Sequence, residues 1–119
     1  MSLTVHDEGQ QVFRLDLSGL LRRAELDAAE ATVARAIDAA GDVRLLVVLT
    51  AFEGWSTDDD WSGLQFYMEH GDRIARIAIA GEERWSSHML LFAAADLRRA
   101  PVRYFAGDAV AGARAWLVE

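Results

Sequence analysis

Leu3 and Val5 alternate with Thr4 and His6, and Glu8-Gly9-Gln10 reads as a turn. After it, Phe13, Leu15 and Leu17 alternate with Arg14 and Asp16. Such a period of two marks half-buried strands with one solvated face, here paired as a hairpin. Ser18-Gly19 breaks the second strand. From about Arg23 to Ala40 the period changes to three and four, with Leu26, Ala29, Val33, Ile37 and Ala40 on one stripe of a helix. Gly41 suits its C′ position, whereas Leu20 to Arg23 offers no strong cap for its start.

Val43 to Leu49 is apolar on both faces, which predicts a central strand covered on both sides. The segment from Arg44 to Trp61, RLLVVLTAFEGWSTDDDW, then reads as that strand, a loop at its carboxyl end, and a helix running from about Thr57 to His70. Ser56 with Asp59, and Thr57 with Asp60, have capping-box spacing. Ile74 to Ala80 is the next strand, with Ala75, Ile77 and Ile79 on one face and Ile74, Arg76, Ala78 and Ala80 on the other. A helix from Glu82 to about Leu97 carries Trp85, Met89 and Phe92. Val102 to Ala106 is the last strand, and Asp108 is placed to cap a final helix with Val110, Ala113 and Leu117 inward and Trp116 alongside. The order β-β-α-β-α-β-α-β-α predicts a single α/β domain with a mostly parallel five-stranded sheet and an antiparallel N-terminal edge strand.

Composition narrows the chemistry. The chain has no cysteine, so thiol catalysis, disulfides and thiolate metal sites are excluded. All 12 of its Lys+Arg total are arginines, which excludes lysine Schiff bases and a P-loop lysine. A net charge of −7 argues against nucleic-acid binding. No apolar run approaches the ~20 residues of a membrane span, and the first residues show no secretory signal, so a cytoplasmic protein without an integral membrane segment is expected.

Several constellations are better read as structure than as chemistry. Asp58, Asp59 and Asp60 would point in three directions about 100° apart on a helix and favour the positive end of its dipole, so no metal site is assigned to them. His6, His70 and His88 fall in different elements, and no pair has the spacing of metal ligands on a helix. Ser86-Ser87-His88 does not make a nucleophile and base, because neighbours in sequence on a helix do not face each other. The glycines Gly54, Gly63, Gly71 and Gly81 are isolated, with no dinucleotide fingerprint. No catalytic residue and no cofactor is therefore expected.

The ordered motifs Leu45 to Leu49, Phe52-x-Gly54-Trp55, Trp61, His70-Gly71, Arg73-Ile74-Ala75-Arg76-Ile77-Ala78, Trp85, Val102-Arg103-Tyr104-Phe105 and Ala115-Trp116-Leu117 resemble the SpoIIAA-like family. These are relatives of STAS domains that share a fold class with CRAL-TRIO lipid-binding domains. The resemblance implies a superhelix of β-α units, strands in sequential order, and helices unevenly shared between the faces. It also implies a non-catalytic regulatory or protein-interaction module, with a protein partner or a second copy of the chain bound. STAS-type antagonists are switched by phosphorylation of a serine in an Asp-Ser-Ser-Gly-type motif. The matching stretch here is Asp60-Trp61-Ser62-Gly63-Leu64, where tryptophan replaces the first serine. That makes Ser62 a candidate phosphosite, against the reading of a polar residue on an amphipathic helix.

The tryptophans direct attention to one end of the sheet. Trp55 and Trp85 follow adjacent strands, and they either plug the core beneath the loops or line a crevice. The candidate ligand or partner surface is accordingly Phe52, Gly54, Trp55, Ser56, Thr57 and Trp85. By analogy with CRAL-TRIO domains, a carrier of a small apolar or lipid-like ligand is the alternative function.

Overall fold

The computed structural model describes residues 2–61 and 65–119. One sheet contains β1 (Leu3–Asp7), β2 (Val12–Leu21), β3 (Val43–Trp55), β4 (Ile74–Gly81) and β5 (Val102–Ala106), in that spatial order. β1 runs antiparallel to β2, with Leu3 opposite Leu17, and all other pairs are parallel. The helices are α1 (Arg23–Ala40), α2 (Gln65–His70), α3 (Ser86–Phe92) and α4 (Val110–Leu117). Single turns of 3₁₀ helix at Gly71–Arg73 and Glu83–Trp85 lead into β4 and α3.

Three parallel β-α-β crossovers progress in one direction across the sheet. With the usual handedness they place their helices on the same face. The larger core cluster lies there: Phe13, Leu15, Leu17, Leu45, Leu49, Ile77 and Ile79 from the strands meet Ala29, Val33 and Ile37 of α1 and Met89 of α3. The other face carries a smaller cluster in which Leu46, Val48 and Ala78 meet Ala113 and Leu117 of α4. α4 packs mainly on β3, β4 and β5 and meets β2 only at Val12, so beyond Val12 the outer face of β1 and β2 stays polar. Asp16 there pairs with the Arg14 guanidinium at 3.0 Å, and the His6 ring nitrogen lies 3.3 Å from the same carboxylate. Arg44 and Arg76, on the α4 side of β3 and β4, donate to the carbonyls of Leu117 (2.5 Å) and Trp116 (2.6 Å). These guanidinium groups satisfy terminal carbonyls and oppose the negative end of the helix dipole.

Several boundaries differ from those expected. β2 does not stop at Ser18-Gly19 but continues to Leu21, and β3 runs on to Trp55. The extension is possible because β3 takes up an extra residue at two places: Gly19 pairs with Phe52 and Leu20 with Gly54, leaving Ala51 and Glu53 as bulges. Ala51 has φ +50°, an uncommon conformation for alanine. A further register shift beside Val43 places Ile74 in the same cluster as Ile77 and Ile79, not on the opposite face.

The segment after β3 is a turn, not the first turn of a helix. Ser56 Oγ accepts from the Asp58 N–H at 3.3 Å, so the expected capping boxes with Asp59 and Asp60 do not form. Asp59 caps a different helix: its Oδ2 accepts from the N–H of Arg23, the first residue of α1, at 2.9 Å. This explains why no cap was legible beside α1. The candidate phosphosite Ser62 lies outside the described residues.

α3 ends at Phe92 rather than near Leu97. Ala94 takes φ +56°, and the N–H groups of Ala94 and Ala95 bond back to Leu91 and Leu90 as in a Schellman motif. Asp108 does not cap α4; the N-cap position is Ala109, without a side-chain bond.

Asp59→Ala should therefore destabilise the protein by about 0.5–2 kcal/mol, the usual cost of losing a helix cap. Urea unfolding of the two proteins measures it, and an unchanged midpoint would show that the bond contributes nothing to α1.

Candidate functional site

The extended pairing of β2 with β3 fixes an aromatic cluster at the carboxyl ends of the strands. Phe52 is 1 % exposed and points into the larger core. Trp55 and Trp85 pack edgewise on it, with ring centroids 5.2 and 5.0 Å away, and lie 6.0 Å from each other. Gly54 makes this closeness possible. Its φ is +102°, and a Cβ there would lie 3.3 Å from the Trp85 ring. Phe92 of α3 continues the cluster, 5.2 Å from Trp55 and 6.0 Å from Trp61. The Trp61 indole donates to the Ser56 carbonyl at 2.7 Å, and the Ser56 N–H donates to Leu21 at 2.8 Å. Ser56 is buried and serves as the joint between strand and turn, while Thr57 is exposed. The indole N–H groups of Trp55 and Trp85 are buried without an acceptor among the described residues.

Below this cluster, between the sheet and the helix layer, lies a cavity of about 580 Å³. Leu15, Leu45, Ile77 and Ile79 form its floor. Leu26, Ala29 and Val33 of α1 make one wall, Met89 of α3 another, and Trp55 and Trp61 one end. Trp55 thus borders the cavity, whereas Trp85 backs Gly54 and is not among the lining residues. Phe52, Gly54, Ser56 and Thr57 are likewise outside the lining. Of the six candidate-surface residues, the structure brings Phe52, Gly54, Trp55 and Trp85 into contact, and only Trp55 lines the cavity.

The remaining lining was not part of the candidate surface read from the sequence, although Leu26, Ala29, Val33, Trp61, Met89 and Phe92 were placed on apolar helix faces. Its floor is formed by ordinary strand positions that alternation assigns to the core. Arg23, Glu30, Tyr67, His88, Asp96 and Arg98 supply the polar part of the lining. Burial pushes the Glu30 carboxyl above its ordinary value and holds the Arg98 guanidinium below its own. A mixed pair of half-buried charges on an alanine-rich wall is a signal, but only once the fold shows that α1 and the segment after α3 share a cavity.

A second, open depression on the other sheet face is lined by His6, Glu8, Arg14, Asp16 and Arg114. Its charges answer one another. Arg114 donates to both oxygens of Glu8 at 3.0 and 2.9 Å, a bond that holds the Glu8 carboxyl below its ordinary value. No group of three or more metal-ligating side chains occurs among the described residues, and none of their helices is long and apolar enough to cross a membrane.

Residues 12–118 match the family model described as SpoIIAA-like. A solved structure, an uncharacterized protein with a SpoIIAA-like fold from Shewanella loihica, superposes with a TM-score of 0.70 at 17% sequence identity. The match covers 97% of this chain and 91% of that one. At that identity the likeness shows the fold. No curated protein matches the chain.

Phe52 and Trp55 should separate in their effects. Phe52→Ala removes a sealed ring and should cost about 3–5 kcal/mol. Trp55→Ala, at a half-buried position on a cavity wall, should cost less, in the ~0.5–3 kcal/mol range of ordinary substitutions. Urea denaturation orders the two, and the reverse order would make Trp55 the core plug and Phe52 the dispensable ring.

Proposed function

The chain belongs to the SpoIIAA-like family, and we propose that it acts by binding, not by catalysis, and that the cavity beside Trp55 receives a small apolar ligand. The observation that carries this reading is the cavity itself. A volume of about 580 Å³ lies within the ~300–1,000 Å³ typical of ligand pockets, and an apolar lining with a few polar groups is the usual composition. The space opens to solvent along a rim that includes the exposed Leu91 and Leu97, so a ligand can enter it without the core unfolding.

A second reading, a regulatory or protein-interaction module with a protein partner or a second copy of the chain, rests on a different observation. Met68, Leu91 and Leu97 are 79%, 83% and 68% exposed, on α2 and around α3. Kinship with STAS-related domains supports it as well.

Titration with decanol tests the first reading. Trp55 and Trp61 border the cavity, so a saturable change in tryptophan fluorescence is expected, together with native mass spectra showing one bound decanol. Ala29→Leu, which extends a side chain into the cavity, should weaken that binding by roughly tenfold, the worth of about 1.4 kcal/mol. No saturable signal and no bound species would remove the reading and leave the interaction module.

A further inference from the structure

Arg98 stands apart from the other half-buried arginines. Arg14 is paired with Asp16, Arg23 with Asp27, and Arg114 with Glu8, while Arg44 and Arg76 cap α4. No ion pair joins Arg98 to a carboxylate among the described residues. Its Nε donates to the Ala93 carbonyl at 2.6 Å, its Cζ lies 4.9 Å from the centre of the Tyr67 ring, and its Nη1 is buried without an acceptor among the described residues. The Tyr67 hydroxyl donates to the Leu97 carbonyl at 2.7 Å and is not bonded to Nη1. The side chain nevertheless lines the apolar cavity. A half-buried guanidinium that is near the Glu30 carboxylate but not bonded to it is left with unused N–H groups, and an anionic partner can take them up.

Resting on the cavity reading above, we propose that the ligand is a single-chain amphiphile with an anionic head, its apolar chain lying over Leu45, Ile77 and Ile79 and its head held by Arg98. The geometry has the two chemistries such a molecule needs in one space: an aliphatic floor, and a cation whose N–H groups are incompletely used. Glu30 lines the same cavity and feels the field of Arg98. As a carboxylate it opposes a second anion, so it limits how tightly the head binds. The planar guanidinium accepts either a carboxylate or a phosphate as head, since it bonds both in the same forked manner.

Three probes with the same chain separate the possibilities: decanoate, decyl phosphate and decanol, each titrated against the full chain by calorimetry near neutral pH. At least one anion is expected to bind about ten- to a hundredfold tighter than decanol, the range for a charge-assisted bond in a partly buried site. The tighter of the two anions identifies the head. Arg98→Gln should abolish that preference, bringing the anions to the affinity of decanol for the same variant, and Arg98→Lys should restore part of it. Glu30→Gln should raise the preference. The ratio of anion to alcohol affinity is the readout, because a general loss of folding lowers both together. Decanol bound as tightly as both anions, or a preference that survives Arg98→Gln, overturns the anionic head while leaving the apolar cavity intact. Failure of all three to bind overturns the cavity reading and this inference with it.

Discussion

The pairing of β2 with β3 beyond Ser18 is the constraint on which the candidate site depends. Parallel strands of ordinary length would separate there, and the chain from Ala51 onward would leave the sheet as a loop. Two extra residues on β3, Ala51 and Glu53, instead let the strands stay bonded to Leu21 and Trp55. The bulges change which way successive side chains point. Phe52 and Trp55 therefore both join the larger core, despite being three residues apart on a strand. The same extension delivers the turn at 56–61 to the start of α1, where Asp59 meets the Arg23 N–H. Trp61 is fastened back to Ser56 by its indole. One stretch of irregular pairing thus sets the aromatic cluster, the cap of α1 and one end of the cavity.

The cavity follows from unequal cover on the helix face. α1 has 18 residues, but the described part of α2 has 6 and α3 has 7. The chain leaving α3 continues as Ala93, Ala94 and Ala95, all of which border the cavity. Methyl side chains there leave unfilled the space that leucines would occupy in a close-packed layer. On the opposite face α4 fits flush, its Ala113 and Leu117 fully buried. The cavity is thereby confined to one side of the sheet. The stable side is pinned by Arg44 and Arg76 holding the end of α4.

The regular part of this architecture was legible in the sequence because it obeys simple periods. The alternation of Phe13, Leu15 and Leu17, the two-sided apolarity of Val43 to Leu49, and the three-and-four spacing along α1 predicted the observed strands and the buried stripe of α1, while the sequential strand order was implied by the resemblance to the SpoIIAA-like family. The errors fall where a residue acts outside its local pattern. Glu53 and Gly54 look like loop residues, yet one is a bulge and the other lets Trp85 approach. Asp59 looks like a cap for the helix that follows, yet it caps one that precedes it by 36 positions. Ala94 gives no stop signal, since the positive φ that ends α3 is normally marked by glycine. Of the site, Trp55 was identifiable as an aromatic at a strand end. Arg98 was not, because an arginine in a basic pair reads as solvated surface until its burial and missing carboxylate are seen.

The two functional readings are physically linked, because their residues overlap. Leu91 and Leu97 are largely exposed and also border the cavity. Arg98 follows Leu97 directly, and Tyr67 bonds to the Leu97 carbonyl, so the rim of the cavity and its proposed head-group site are one stretch of chain. A partner that packs on Leu91 and Leu97 would press on the same segment that a ligand orders from within. Differential affinity is the only means by which either event can influence the other, and thermodynamic linkage makes any such effect reciprocal. An apolar cavity walled by exposed apolar residues is therefore consistent with a binding module whose outer surface reports on its contents. The polar, internally paired face of β1 and β2, where His6, Arg14 and Asp16 answer one another, has no comparable route to the cavity.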